Sequence, residues 1–305
     1  MPKIFISTIP FASTSKLPLT LLEEYGIDYE INPLGRKISE EEIKEFIKNI
    51  DGLIAGTEPL NKNVLSNAEN LKVISRVGVG TDNIDLVHAR KKNISIEITD
   101  MGPTNSVAEH TLALILNSLK GVHISCSKLK TGIWEKSIGR EITECTIGII
   151  GAGNIGKRVI ELISGFNPAA ICYHDPFVTL NERIAKKMKL NDLLKVSDVI
   201  SLHLPLTKKS MFLISKKELN LMKKNALLIN TSRGALIDEE ELFFALQEGL
   251  IGGAALDVFA KEPYSGKLIE LDNCLLTPHI APMTVRARES MEYDAVKNII
   301  KHLGT

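Results

Sequence analysis

Residues 145–163 read "CTIGIIGAGNIGKRVIELI", in which three glycines separate an apolar run from an amphipathic run. Gly151, Gly153 and Gly156 have GxGxxG spacing, directly after a strand-like run and at the start of a helix-like one. In such a strand–turn–helix unit, glycines permit a tight turn and let a pyrophosphate approach the helix amino end. The stretch therefore predicts a dinucleotide-binding loop, whose contributing residues are Gly151, Gly153, Asn154, Ile155 and Gly156.

Asp175 follows the next apolar run, "AAICYH", nineteen residues after Gly156. An acidic side chain at this point can hydrogen-bond both hydroxyls of a ribose, and its charge would repel the additional phosphate of NADP. The alternative is that Asp175, which precedes Pro176, only caps a turn. Together with the glycine loop upstream, Asp175 favours NAD as the cofactor.

Short β-branched runs alternate with polar-faced helical segments along the chain, as in a parallel sheet covered by helices. The runs "KIFIS", "GLIAG", "KVISR" and "ISIEI" occupy the first hundred residues, and the alternation restarts with "CTIGII", "AAICYHD", "SDVISLHL", "NALLINTS" and "GGAALDV". One long helix, about residues 104–128, could join the two halves. The pattern predicts an α/β fold of two Rossmann-like or flavodoxin-like parallel-sheet domains with an interdomain cleft. We expect the last helix to return to the first domain. The first domain is then discontinuous, with residues 1–101 plus 284–305, and the second domain comprises residues 102–283.

Composition excludes several classes of partner. The 305 residues contain 37 Lys plus Arg and 37 Asp plus Glu, without the basic, aromatic-studded face that nucleic acids require. The start "MPKIFISTIPF" lacks the pattern of a secretory signal, and no apolar run approaches the length of a membrane span. We therefore expect a cytoplasmic protein without nucleic-acid or membrane partners.

The cysteines and histidines give no indication of a metal site. The four cysteines have no CxxC spacing, which favours buried thiols over a disulfide scaffold or zinc site. No HExxH motif occurs, and we expect a metal-free protein. We interpret His110 and His203 as mainly structural or cofactor-lining.

Three charged residues follow strand-like runs in the second half: Arg233 in "NTSRGAL", Glu262 in "AKEP" and His279 in "LLTPHIAP". Singly, they could be a surface ion pair, a loop charge and a buried core ring. Ligands of open parallel sheets bind beyond the carboxyl ends of the strands, where these residues would gather. Arg233 can hold a carboxylate or polarise a carbonyl, His279 can exchange a hydroxyl proton, and Glu262 can orient that ring. Together they predict hydride transfer at a carbon that bears oxygen.

The ordered motifs "SRVGVGTDNID", "SVAEHT", "GAGNIG", "YHDP", "HLPLT", "NTSRGALIDEEEL", "ALDVFAKEP" and "TPHIA" resemble those of the D-isomer-specific 2-hydroxyacid dehydrogenases over nearly the whole chain. The likeness is greatest to a short form of the D-3-phosphoglycerate dehydrogenase group, without the regulatory ACT domain of its long members. The resemblance implies that residues 102–283 bind NAD and that the discontinuous domain binds a 2-hydroxy or 2-oxo acid. It also implies a homodimer, with "TGIWEKSIGRE" as the arm that meets the second subunit.

The resemblance assigns roles to individual residues. It makes His279 the acid/base, Glu262 its partner and Arg233 the residue that binds the carboxylate and carbonyl of the substrate. It further implies backbone contacts from Gly78 and Val79 to that carboxylate across the cleft. Along the cofactor, it implies Leu204, Pro205 and Thr207 at the adenosine half, and Thr231 and Asp257 near the nicotinamide.

The identity of the substrate stays open between phosphorylated and unphosphorylated acids. In "LIAGTEPL", Ala55 stands where relatives that handle phosphoglycerate often have an arginine. Arg76 is a second candidate for a phosphate contact, and the alternative is that it is an exposed charge at the end of a strand. A D-3-phosphoglycerate dehydrogenase-like activity is the first expectation, and a glyoxylate/hydroxypyruvate reductase or another D-2-hydroxyacid dehydrogenase is the alternative. From a different class, an NAD-sensing corepressor-like binding protein would share the fold. The intact set of Arg233, Glu262 and His279 favours the enzyme.

Overall fold

The computed structural model describes residues 1–99 and 102–304, and its backbone forms two compact units. Unit 1 comprises Met1–Pro103 with Met283–Thr305, and unit 2 comprises Thr104–Pro282. Two ends of the domains predicted from the sequence, residues 101 and 305, lie outside the described residues.

Unit 1 contains a parallel sheet with the strand order β2-β1-β3-β4-β5. Its strands are β1 (Lys3–Ile6), β2 (Asp28–Ile31), β3 (Gly52–Ala55), β4 (Val73–Arg76) and β5 (Ser95–Ile98). Its helices are α1 (Leu17–Glu24), α2 (Glu40–Phe46), α3 (Lys62–Ser66), α4 (Leu86–Lys91) and α11 (Val285–Leu303). Successive strand residues point to opposite faces, so that Ile4 and Ile6 pack towards α11 while Phe5 packs in the core on the other face. Both faces are buried, as is usual for a parallel sheet.

Unit 2 contains a second parallel sheet, with the order β12-β11-β10-β9-β6-β7-β8. Its strands are β6 (Thr146–Ile150), β7 (Ala170–His174), β8 (Lys186–Lys187), β9 (Val199–Leu202), β10 (Leu227–Asn230), β11 (Gly253–Leu256) and β12 (Cys274–Leu276). Its helices are α5 (Thr104–Lys120), α6 (Val122–Lys130), α7 (Asn154–Ser164), α8 (Leu190–Val196), α9 (Lys216–Leu219) and α10 (Glu239–Gln247). Short 3-10 turns span Ile142–Glu144, Gly234–Leu236 and Lys267–Glu270.

The strand order of unit 2 reverses around β6, which lies between β7 and β9. In open α/β sheets the crevice at such a reversal, beyond the carboxyl ends of the strands, is where ligands bind. The prediction of an α/β fold with two parallel sheets is confirmed, and the glycine loop follows β6 at the reversal.

The single helix predicted for residues 104–128 is wrong in one respect, because it is two helices. α5 ends at Lys120 and α6 begins at Val122, with Gly121 between them in the left-handed conformation at φ 60°. Glycine has no Cβ and adopts this conformation without steric cost, so the chain can turn there.

The expectation of buried thiols also needs one correction, because Cys126 is exposed while Cys145, Cys172 and Cys274 are buried. All four are free thiols. In the described part of the chain, no His, Cys, Asp and Glu side chains are grouped in a way that could hold a metal ion. No helix within residues 1–99 and 102–304 is long and apolar enough to span a membrane.

Candidate active site

The glycine loop has the geometry of a phosphate site. Gly151 has φ 94°, and a Cβ there would lie 2.4 Å from the carbonyl oxygen of His203. A Cβ on Gly156 would lie 2.0 Å from the Gly151 oxygen, so α7 approaches the loop too closely for any side chain. Gly153 differs, since a Cβ there would meet nothing within 4 Å. The loop is thus tightly packed at Gly151 and Gly156 and open at Gly153, just before α7 begins.

Gly153 is the N-cap of α7, and no side chain within the described residues caps this helix end. Asn154 and Ile155 follow in the first turn, and Asn154 is exposed. Backbone N–H groups at a helix amino end carry partial positive charge and bind phosphate well. The open space and the uncapped helix end therefore fit the pyrophosphate of NAD.

The carboxyl group of Asp175 follows β7 and binds the glycine loop. Its Oδ2 accepts the Ala152 N–H at 2.8 Å, and its Oδ1 accepts the N–H groups of Phe177 and Val178 at 2.8 and 3.0 Å. Burial raises its pKa, but the three backbone donors outweigh burial and leave the pKa below its ordinary value. Asp175 therefore caps the turn and also provides an ionised carboxylate beside the loop. The two functions weighed from the sequence are compatible.

The segment after β9 lies against the glycine loop. The carbonyl of His203 and the side chain of Leu204 both contact Gly151 closely enough to exclude a Cβ there. Pro205 and Thr207 follow and are exposed. Burial of its ring lowers the pKa of His203 to about 3, so this histidine is neutral. Its role is structural, because its backbone packs against the glycine loop.

The turn after β10 holds Thr231 and Arg233. The buried Asn230 side chain accepts the Ser232 N–H at 3.0 Å and donates to the Arg233 carbonyl at 2.9 Å. Thr231 is also buried and shares a hydrogen bond with Thr111 of α5 at 2.8 Å. The path of the chain at Arg233 is therefore fixed by hydrogen bonds at the Ser232 N–H and at its own carbonyl group.

Gly234 sets the distance between this turn and the loop after β11. A Cβ on Gly234 would lie 1.9 Å from the backbone carbon of Phe259 and 2.2 Å from the Ala260 nitrogen. Only glycine permits this approach. The contact brings the Arg233 turn against the loop that carries Glu262.

Glu262 and His279 form a close pair at the carboxyl ends of β11 and β12. Nδ1 of His279 lies 2.9 Å from Oε2 and 3.1 Å from Oε1 of Glu262. An ionised carboxylate only accepts hydrogen bonds, so Nδ1 carries the proton in this contact. The other ring nitrogen, Nε2, is then the one able to exchange a proton with a ligand.

The backbone of His279 is held in the left-handed region, at φ 54°. Its N–H donates to the carbonyl oxygen of Asp257 at 2.8 Å. Oδ1 of Asp257 accepts the Ile280 N–H at 2.8 Å, and Oδ2 accepts the Ala281 N–H at 2.9 Å. A single aspartate thus holds the backbone at the histidine and at the two residues after it, which compensates for a conformation that is costly for a residue with a Cβ.

Asp257 is fully buried and has two further side-chain partners. Oδ1 accepts the Thr277 hydroxyl at 2.6 Å and lies 3.4 Å from Nε2 of His110 on α5. Burial raises the pKa of Asp257, but His110, Thr277 and the backbone donors outweigh it, and the pKa is lowered. Asp257 is therefore an ionised group inside the protein, and His110 is its partner.

The sequence motifs assign no role to Thr277 or Gly234 and do not pair His110 with Asp257. Gly234 stands directly after Arg233 in "NTSRGAL", and that position was the available signal. His110 and Asp257 are far apart in the chain, and no local pattern links them.

Gly78 and Val79, the predicted substrate contacts in unit 1, follow β4. Gly78 has φ 129°, and its N–H donates to the Thr99 hydroxyl at 2.7 Å. A Cβ on Gly78 would lie 2.5 Å from Nη1 of Arg76, so the guanidinium packs against this turn. Arg76 is buried, which excludes the exposed strand-end charge considered from the sequence. Contacts of Gly78 and Val79 with a carboxylate remain a prediction.

Ala55, the last residue of β3, has no charged side chain that could bind a phosphate, and the carboxyl group of Glu58 lies close to it. Ala55 is fully buried, and Glu58 is almost so. Oε2 of Glu58 accepts the Gly56 N–H at 3.0 Å, and Oε1 accepts the hydroxyl of Ser7. The backbone donor after Ala55 is therefore occupied by a carboxyl group, which is unfavourable for a phosphate.

Together, unit 2 combines a nucleotide-type glycine loop with a histidine–glutamate pair and an arginine turn at the same sheet edge. That combination is typical of a dehydrogenase, in which a histidine exchanges the proton while a nicotinamide exchanges the hydride. Comparison with known proteins gives the family. Residues 112–281 match the model of the D-isomer specific 2-hydroxyacid dehydrogenase, NAD binding domain.

Relatives and solved structures extend the match to nearly the whole chain. The glyoxylate reductase of Pyrococcus furiosus is 35% identical over 315 residues, covering 98% of this chain and 91% of the relative. The D-3-phosphoglycerate dehydrogenase of Methanocaldococcus jannaschii is 38% identical over 283 residues, covering 89% of this chain and 52% of the relative. The structure of D-lactate dehydrogenase from Aquifex aeolicus, complexed with NAD and lactic acid, has a TM-score of 0.85 at 29% identity and covers 98% of this chain and 94% of that one.

The chain belongs to the D-isomer specific 2-hydroxyacid dehydrogenase family. It is an NAD-dependent oxidoreductase of that family, and the prediction made from its motifs is confirmed.

Proposed function

We propose that this enzyme reduces a small, unphosphorylated 2-oxo acid, such as glyoxylate or hydroxypyruvate, to the D-2-hydroxy acid with NADH. The observation that carries the proposal is the His279–Glu262 pair, which holds Nδ1 at 2.9 Å from a carboxylate oxygen and leaves Nε2 for the substrate. The choice of an unphosphorylated acid is supported by Ala55 and by the neighbouring Glu58 carboxyl group on the Gly56 N–H.

His279 is the proposed acid/base. In the reductive direction, its imidazolium donates the Nε2 proton to the carbonyl oxygen of the substrate as that oxygen gains negative charge. Glu262 fixes the ring orientation, because it accepts from Nδ1. Bound NADH would supply the hydride that the substrate carbon accepts.

Arg233 is the proposed ligand of the carboxylate and carbonyl of the substrate, since a planar guanidinium can donate two parallel hydrogen bonds. The turn that carries it is fixed by Asn230 and by the close contact of Gly234. Gly78 and Val79 are proposed to add backbone contacts to the same carboxylate from unit 1, with the Gly78 N–H shared between that carboxylate and the Thr99 hydroxyl. Unit 1 is accordingly the proposed substrate-binding domain, and unit 2 is the proposed NAD-binding domain.

The cofactor residues are proposed from the loop geometry. Gly151, Gly153, Asn154, Ile155 and Gly156 are proposed to bind the pyrophosphate, and Asp175 the ribose of the adenosine half. The proposed contacts elsewhere are Leu204, Pro205 and Thr207 along the adenosine, with Thr231 and Asp257 near the nicotinamide. The lowered pKa of Asp175 supports NAD over NADP, because an ionised carboxylate repels a 2′-phosphate.

A D-3-phosphoglycerate dehydrogenase-like activity is the second candidate. The observation that favours it is the buried Arg76 guanidinium against Gly78, which brings a cation to the turn proposed to bind the substrate. One assay separates the two candidates. NADH oxidation is followed with glyoxylate, hydroxypyruvate, pyruvate and 3-phosphohydroxypyruvate, and NAD reduction with the matching D-hydroxy acids.

We expect the highest kcat/KM with glyoxylate or hydroxypyruvate. A preference for the phosphorylated pair by tenfold or more would establish the second candidate and indicate that Arg76 compensates for Ala55. No turnover of any acid by a protein that binds NADH would refute the proposed role of the His279–Glu262 pair.

We also propose that the enzyme is a cytoplasmic homodimer. Support for the dimer comes from α6 and the segment after it, where Ile133, Trp134 and Ile138 are 52, 79 and 102% exposed. Contiguous exposed apolar residues of this kind mark an interface, and a second copy of the chain is the proposed occupant. Free thiols at all four cysteines agree with a reducing compartment.

Sedimentation of two variants tests the dimer. Trp134→Glu combined with Ile138→Glu should give a monomer at micromolar concentration, since charges would be buried in the interface. Val87→Glu on α4 is the matched control, because Val87 is 68% exposed but lies in unit 1. A dimer that survives the double substitution would exclude this surface.

A further inference from the structure

Two consecutive backbone N–H groups in the loop after β11 bind two different glutamates. Phe259 donates to Oε1 of Glu262 at 3.2 Å, and Ala260 donates to Oε1 of Glu239 at 2.7 Å. Glu262 also binds Nδ1 of His279. The Phe259–Ala260 peptide therefore connects Glu239 with Glu262, the partner of the proposed acid/base His279.

Glu239 is the first residue of α10 and is partly buried. Burial, and then the charge of Glu262, raise the pKa of Glu239 by more than the Ala260 N–H lowers it. The electrostatic interaction between the two carboxyl groups is thus repulsive. The hydrogen bonds from two consecutive N–H groups hold these carboxyl groups in place in spite of the repulsion.

Other titratable groups also face Glu239. Burial, followed by weaker effects that include the charge of Glu239, raises the pKa of Tyr264 and raises the pKa of Cys274 to about 12. Both groups are uncharged at neutral pH. The elements that pack against α10 also carry cations, but Lys216 pairs with Glu241 at 3.7 Å, and Lys267 lies over the ring of Phe243.

We propose that Glu239 is a positioning residue for the Glu262–His279 pair, acting through the Phe259–Ala260 peptide and through its negative charge. The hydrogen bond to Ala260 fixes the loop from which Glu262 reaches His279. The charge adds to that of Glu262 and favours the protonated ring, the form that donates a proton during reduction of an oxo acid. The inference rests on the proposed function of His279 as acid/base.

Two substitutions separate the hydrogen bond from the charge. Glu239→Gln keeps an oxygen that can accept from Ala260 but removes the charge, whereas Glu239→Ala removes both. Glu240→Gln is the matched control, because Glu240 is the next residue of the same helix and is exposed. Each variant is compared with the unaltered protein in melting temperature, in steady-state kinetics and in an NMR titration of the His279 ring, assigned with His279→Gln.

In the substrate-free protein, the titration midpoint of His279 should move to lower pH by about 0.5 unit or more in both Glu239 variants, because one nearby negative charge is lost. It should not move in Glu240→Gln. In the reductive direction at low pH, kcat should fall about tenfold in Glu239→Ala, with the KM for NADH changed less than twofold, because the loop is displaced. Glu239→Gln should recover most of that loss.

An unchanged midpoint in Glu239→Gln would overturn the electrostatic part of the proposal, and a normal kcat in a folded Glu239→Ala would overturn the positional part. A lower melting temperature with normal kcat and midpoint would reduce Glu239 to a structural role. If Glu239→Ala does not fold, the midpoint of Glu239→Gln still decides. A shifted midpoint in a protein that reduces no 2-oxo acid would support the inference while refuting the proposed function.

Discussion

The substitution Gly234→Ala tests the proposed arrangement of the site most directly, because it adds one methyl group at a place with no space for it. The new Cβ would lie 1.9 Å from the backbone carbon of Phe259 and 2.2 Å from the Ala260 nitrogen. Both are backbone atoms, so rotation of a side chain cannot relieve the clash. The two loops must separate by about 1.5 Å to reach ordinary contact, which begins at 3.4 Å.

That displacement affects both sides of the proposed site. On one side it moves Arg233, which precedes Gly234 in the chain. On the other it moves the loop whose N–H groups bind Glu262 and Glu239. Misplacement of a catalytic group by about 1 Å can cost about 10²-fold in rate, so kcat for reduction of the oxo acid should fall by about that factor. The free energy of unfolding should fall by about 1–3 kcal/mol, the usual cost of overpacking.

The assay combines steady-state kinetics, urea unfolding and calorimetric binding of ADP-ribose. Binding of ADP-ribose should change less than threefold, because the glycine loop and Asp175 lie after other strands. Gly165→Ala is the control: Gly165 ends α7 with φ −64°, and its Cβ would lie 3.5 Å from the nearest atom, the Leu162 oxygen. This control should retain full kcat and gain about 0.4–1 kcal/mol of stability. Unchanged kcat in a folded Gly234→Ala variant would refute the argument that this contact positions Arg233 and Glu262.

Four further substitutions test single groups. His279→Ala should lower kcat by about 10²–10⁴-fold while NAD affinity measured by fluorescence stays within threefold, and near-normal turnover would remove His279 from the mechanism. Arg233→Ala should lower kcat/KM for the oxo acid by about 10²-fold, and an unchanged value would exclude it as the substrate ligand. Asp175→Asn should reduce the preference for NAD over NADP about tenfold in kcat/KM, since a charge that repels the phosphate is lost; an unchanged ratio would contradict this. Asp198→Asn should lower the free energy of unfolding at pH 7 by about 1–3 kcal/mol, because the native carboxylate binds the Thr146 N–H, Arg140 and Lys223. Although burial raises the pKa of Asp198, these partners lower it overall, so the stabilisation is present above the unfolded carboxyl value of 3.8 and lost as the pH falls below it. Urea titrations at pH 7 and pH 3 should therefore differ in this variant less than in the unaltered protein, and an equal difference would refute the assignment.

The sequence contained enough information for the two sheets and for the glycine loop because the responsible signals are local. Runs of β-branched residues follow one another at regular spacing, and GxGxxG stands between a strand and a helix. β2 and β8 were missed for the same reason, since "DYEI" is half polar and β8 consists of two lysines. Only pairing with a neighbouring strand defines them.

Contacts between distant residues account for what the sequence did not reveal about the site. The Gly78 N–H, which the family resemblance implies as a carboxylate contact, also donates to the hydroxyl of the distant Thr99. His110 and Asp257 meet because α5 packs on the sheet of unit 2, and no periodicity could pair them. The end of α5 at Gly121 could be anticipated only in part, because glycine also occurs inside helices.

The hydrogen bonds that Asp257 accepts from the amides of Ile280 and Ala281 have a consequence for how the family can diversify. A carboxylate that binds main-chain N–H groups is indifferent to the side chains attached to them, so the histidine keeps its orientation whatever residue follows it. Proline is the exception, because it has no N–H to donate. Ile280 is 41% exposed, so this position can exchange its side chain during evolution while the orientation of the proposed acid/base is inherited unchanged.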